Sequence, residues 1–120
     1  DLLLRFAHSP DEEYIELTAT TMHQRIDLHA RAHNYVLYVL ARIRLADQAR
    51  GVAAADQGWI AQEKLLAMLK VEATHLNITI HRARLHLAQN GVSDAVSLVE
   101  RRKGTGQLRL GVEALEIAPI

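Results

Sequence analysis

The hydrophobic period of this chain changes twice, and that change limits the architectures open to it. Up to about residue 28 apolar side chains alternate, from about 30 to 90 they recur every three or four residues, and beyond 95 alternation returns. Period two marks strands with one buried face, and period 3.6 marks amphipathic helices. Leu2, Leu4 and Phe6 alternate with Leu3 and Arg5, and Ser9-Pro10-Asp11 marks a turn. Tyr14 to Thr18 is rich in strand formers, with Ile15 and Leu17 on one face. Thr20-Thr21 turns the chain, and Met22, Gln24, Ile26 and Leu28 form one side of a third strand. Three adjacent short strands predict an antiparallel meander.

The helical stretch divides in three. Ala32, Tyr35, Val36, Val39, Leu40 and Ile43 share a face that Leu37 and Leu45 widen, so the first helix packs on two sides and fades near Arg50-Gly51. A small-residue, loop-like connection follows from Gly51 to Gly58, whose alanines could also extend or restart a helix, and Trp59-Ile60 reads as a short strand or anchor. The second helix spans Gln62 to Leu69, burying Leu65, Leu66 and Leu69. The third spans Thr74 to Gln89, with Thr74 as N-cap and Asn90-Gly91 as stop. Two strands, Val96 to Arg101 and Gln107 to Leu110, are joined by Arg102-Lys103-Gly104-Thr105-Gly106, whose glycines suit a tight tip. The tail from Val112 to Ile117 supplies a further strand. At 120 residues the chain fits one domain: strands in 1–28, helices in 30–90 and a hairpin in 95–111. The expected class is α+β, a winged helix with an N-terminal antiparallel sheet, a three-helix bundle and a C-terminal hairpin wing.

Composition narrows the function. The chain is 49% hydrophobic but 4% aromatic, so its core is aliphatic; no apolar run is long enough to cross a membrane, and there is no cysteine. It begins at Asp1 without a secretory signal, so a fragment of a longer protein is expected. Net charge is zero, yet from His75 to Leu110 Arg82, Arg84, Arg101, Arg102, Lys103 and Arg109 face only Asp94 and Glu100, a local excess of four positive charges. A local patch, rather than net charge, is what meets a phosphate backbone. On the third helix Leu76, Ile80, Ala83 and Leu87 form a core stripe. Asn77 and Arg84 flank it, and His81 and Arg82 lie further out. Arginine pairs with guanine and asparagine with adenine in a major groove, and Arg102, Lys103 and Thr105 at the hairpin tip are placed to reach an adjacent phosphate or minor groove. Ile78 and Leu85, almost opposite the stripe, suggest instead a protein contact or a meeting with thymine methyls.

The residues Leu76-Asn77-Ile78-Thr79-Ile80-His81-Arg82-Ala83-Arg84 and Lys103-Gly104-Thr105-Gly106-Gln107-Leu108-Arg109-Leu110 resemble the recognition helix (V-D-V-H-I-R-R-L-R) and wing (R-G-T-G-Y-R) of OmpR/PhoB-type response-regulator effector domains. Upstream, Ile26-Asp27-Leu28 with the Tyr35–Ile43 helix, Trp59-Ile60 and Glu63-Lys64-Leu65-Leu66 match that family's order of elements. The resemblance implies a cytoplasmic bacterial transcription regulator binding duplex DNA, often as a dimer. It implies DNA-facing Thr79, His81, Arg82 and Arg84, with Thr105 and Arg109 in the wing. A further resemblance, to winged helices joined to bacterial forkhead-associated domains, implies an upstream signalling domain that reads phosphothreonine. The chain departs from the family at His81, at Leu85 and by an extra wing residue near Gln107. Its connection from Lys70 to Thr74 is shorter, and that from Asp47 to Gly58 is longer.

Catalytic and metal readings are weaker. His29 and His33 have ligand-compatible spacing without an HExxH pattern, and His81 and His86 diverge on the helix. Asp11-Glu12-Glu13 lies in a turn, Ser9, Ser93 and Ser97 lack a nucleophile signature, and Gly104-Thr105-Gly106 lacks a phosphate-loop lysine. The expectation is a binding module with no enzyme activity, metal or cofactor. The alternative is a winged helix adapted to protein interaction or dimerisation through Ile78 and Leu85.

Overall fold

Leu4 and Phe6, Ile15, Leu17 and Ala19, and Ile26 and Leu28 all point to one side of an N-terminal meander, where they are buried. In the computed structural model, which describes residues 2–120, this meander comprises β1 (Leu3–His8), β2 (Ile15–Thr20) and β3 (Arg25–Ala30). Adjacent strands pair antiparallel. The register of β2 and β3 shifts at Leu17/Thr18, where His29 takes a positive φ of 60° and its N–H is held by Asp27 Oδ1. The third strand begins later than its alternation suggests. Thr21 to Gln24 form the turn, closed by Thr21 N–H on the Gln24 carbonyl, and Met22 and Gln24 are exposed.

Helix α1 (Asn34–Ala49) covers the buried face of this sheet. Its first residue, Asn34, is fully buried and donates from Nδ2 to the carbonyls of Ile15 and His29, which ties the helix start to the bulge. Ala32 precedes the helix and is exposed, and Tyr35 is 42% exposed, so neither joins the expected core face. The other side of α1 meets α3 (Ala73–Gln89) and the second sheet, as its wide apolar arc predicts. That sheet has the order β4 (Ile60–Ala61), β6 (Gln107–Leu110), β5 (Val99–Arg102), all antiparallel, and α2 (Gln62–Leu69) follows β4 directly.

Three further boundaries differ from the sequence expectation. The residue before α3 is Glu72, and Thr74 lies inside its first turn. Ala95–Leu98 is a 3-10 turn where a strand is expected: Asp94 is left-handed, Ser97 N–H bonds the Asp94 carbonyl, and Leu98 is driven into the core while Val96 stays 75% exposed. The tail forms β7 (Ala114–Pro119), which pairs parallel to β1 and completes a mixed four-stranded sheet of order β3-β2-β1-β7. The sheet is therefore not purely antiparallel. The observed architecture is α+β, with three helices, a mixed four-stranded sheet and an antiparallel three-stranded sheet, and α1 contacts both sheets.

Candidate nucleic-acid interface

Helix α3 buries Leu76, Ile80, Ala83 and Leu87, the stripe its period predicts. Fixing that stripe fixes the rest of the helix. Asn77 and Arg84 fall on the flank beside β5, while His75, Thr79, Arg82 and His86, spaced at four, three and four residues, run along the other. Between the flanks His81, Ile78 and Leu85 face outward, the last two each 47% exposed.

The hairpin is held beside α3 by two arginines. Arg84 donates from Nη2 to the carbonyl of Val99, the first residue of β5, at 2.7 Å, while its buried Nε has no hydrogen-bond partner among the described residues. Arg101 reaches from β5 to Gln62 Oε1 at 2.6 Å and Asn77 Oδ1 at 3.1 Å, linking the hairpin to the first residue of α2 and the near flank of α3. Sequence reasoning counted Arg101 as charge and gave it no role. The signal was strand parity: Val99 and Arg101 share the face turned to the helices, while Glu100 and Arg102 share the other.

That other face carries a separate cluster. The guanidinium carbons of Arg102 and Arg109 lie 4.5 Å and 4.3 Å from the Trp59 ring centroid, within cation–π range. Arg109 also meets Glu100 Oε1 at 2.7 Å and donates to the carbonyls of Ala54, Ala55 and Gln57, leaving its side chain 12% exposed. Arg102 donates to the Ala55 carbonyl and stands 3.7 Å from Asp56. The long connection to Gly58 is thus strapped across the outer face of the hairpin. Arg44, 3% exposed, locks the strap from within by donating to Gln57 Oε1 and to the carbonyls of Leu110 and Ala54.

The residues singled out from sequence therefore separate. His81, Arg82 and Lys103 are exposed and, among the described residues, have no hydrogen-bonded or ion-paired partner. Asn77 is exposed but engaged by Arg101. Thr79 Oγ1 donates to the His75 carbonyl, and Thr105 Oγ1 donates to the Arg102 carbonyl while accepting from Gln107 N–H, which closes the hairpin tip. Arg84, Arg102 and Arg109 hold protein groups. Ile78 and Leu85 remain open to a partner.

A second junction lies at the far flank of α3. His33, at the start of α1, and His86 share a hydrogen bond of 3.0 Å between Nε2 and Nδ1, with their rings edge to face. Desolvation, then the charges of His86, Arg31 and Arg82, hold His33 down to about 4. Burial, then Arg31 and His29, lowers His86 as well. His29 turns instead toward Asp27 Oδ2, at 3.4 Å, so His29 and His33 go to different partners. Among the described residues no group of three His, Cys, Asp or Glu side chains is arranged to hold a metal ion, and no helix is long and apolar enough to cross a membrane. No family model, curated protein or solved structure matches the chain.

Proposed function

We propose that this chain is a winged-helix domain of a bacterial transcriptional regulator that binds duplex DNA, with α3 in the major groove and the β5–β6 hairpin as the wing beside it. The observation that carries the reading is the bridge from Arg101 to Asn77 and Gln62. It sets a cationic hairpin alongside the outward face of a helix whose His81 and Arg82 are unengaged. Affinity then rests on phosphate contacts and falls steeply with salt. In fluorescence anisotropy with a short mixed-sequence duplex, Arg82→Ala and Lys103→Ala each weaken binding and lower the salt slope by about one if each meets a phosphate. Arg82→Ala costs about 1–3 kcal/mol at a specific site if it reads a base. Unchanged affinity and slope in both variants excludes this face as the reader.

The exposure of Ile78 and Leu85 favours a second reading, a winged helix that binds protein or its own copy. Leu85→Lys separates the two. A gain in DNA affinity supports the groove, and loss of a protein complex with DNA binding unaltered supports the interface.

A further inference from the structure

The His33–His86 junction lies among basic side chains contributed by three segments of the chain. Arg31 precedes α1 by three residues, Arg82 stands one turn before His86 on α3, and His29 comes from the end of β3. Asp27 faces His29, and the first turn of α1 carries no acidic residue to offset this charge. Arg31 and Arg82 are exposed, and Arg31 donates only to the carbonyl of its neighbour Ala30. A cation is repelled by such a site, whereas an oxyanion meets two guanidinium groups beside two imidazoles. We propose that Arg31, His33, Arg82 and His86 form a phosphate-binding corner that extends the α3 surface past the side opposite the hairpin. The corner rests on the DNA-binding reading for its source of phosphate, a backbone phosphodiester.

The imidazole pair gives the corner a distinct chemistry. One ring nitrogen of the bond must be a bare acceptor, so the free pair holds at most one extra proton without losing the bond. Burial opposes protonation of the pair most, and the arginine charges add to it; a phosphate docked on Arg31 and Arg82 offsets that added charge and accepts a hydrogen bond from an imidazolium. Docking therefore draws a proton from solvent onto the pair. By linkage, affinity rises as pH falls toward the imidazole range.

Calorimetry with a short mixed-sequence duplex in buffers of different ionisation enthalpy reads this directly. The wild type takes up protons near pH 6, and the His33→Gln/His86→Gln double variant takes up fewer. Arg31→Ala weakens binding several-fold and lowers the salt slope by about one. Equal proton uptake in the double variant, or unchanged affinity and slope in Arg31→Ala, overturns the corner. If the wild type binds no duplex, the DNA reading fails and the corner is judged on inorganic phosphate. Imidazole resonances of His33 and His86 that shift on adding phosphate, and not in Arg31→Ala, sustain it as an anion site; unmoved resonances overturn it.

Discussion

Arg82 and Arg84 stand two residues apart on one helix and meet opposite surroundings. Arg82 projects into solvent, whereas Arg84 is half-buried and donates from Nη2 to the Val99 carbonyl. The two alanine variants should therefore diverge. Arg84→Ala costs about 1–3 kcal/mol of stability in urea unfolding, because a half-buried carbonyl loses a charged donor, while Arg82→Ala leaves the midpoint unchanged. Arg109 belongs with Arg84. Arg109→Ala removes the stack on Trp59, the Glu100 pair and three carbonyl contacts, and a loss of about 1–3 kcal/mol is expected. Arg109→Lys restores little of it, because an ammonium cannot fork among those carbonyls. The sequence placed all of these residues in one basic surface. Side chains of one type are told apart by what lies opposite them, and the carbonyls that Arg109 holds lie more than fifty residues away in the chain.

At the scale of elements, helices were the legible part. The α3 stripe and the bounds of α2 follow from local period, because burial on one side repeats within a few residues. The 3-10 turn at Ala95–Leu98 did not, since Val96-Ser97-Leu98 alternates as a strand would and only the left-handed Asp94 redirects it. The strap to Gly58 left a cue in its glycine. Gly58 has a φ of 78°, and a Cβ there would lie 2.8 Å from Arg44 Cβ. Gly58→Ala is expected to cost about 1–3 kcal/mol through backbone strain and displacement of Arg44, measured by thermal unfolding. The α1–α3 junction makes a pH prediction. The unfolded chain protonates His33 near 6.5, but the folded chain resists until about 4. Its contribution to stability is therefore full above about 6.5 and is lost as pH falls toward 4. His33→Gln should flatten that part of the stability profile, and a profile as steep as the wild type's contradicts it.

The whole molecule is organised by a pairing that no local pattern announces. β7 lies parallel to β1 through six paired residues from Leu3↔Ala114 to His8↔Pro119, so the two ends of the described chain share one sheet and one core. The radius of gyration, 13.5 Å, is that of a compact body of this length. Deleting residues 114–120 should strip β1 of a neighbour, expose the site of Leu115 and lower the unfolding midpoint markedly. The fold also brings α3 and the hairpin side by side, joined by Arg101 and Asn77. Amide chemical-shift mapping during titration with a short mixed-sequence duplex tests that arrangement most directly. Perturbations concentrated at His81, Arg82 and Lys103, with Met68 unaffected, are predicted. Perturbations absent from α3 and the hairpin, or confined to the α1–α2 side, contradict the account.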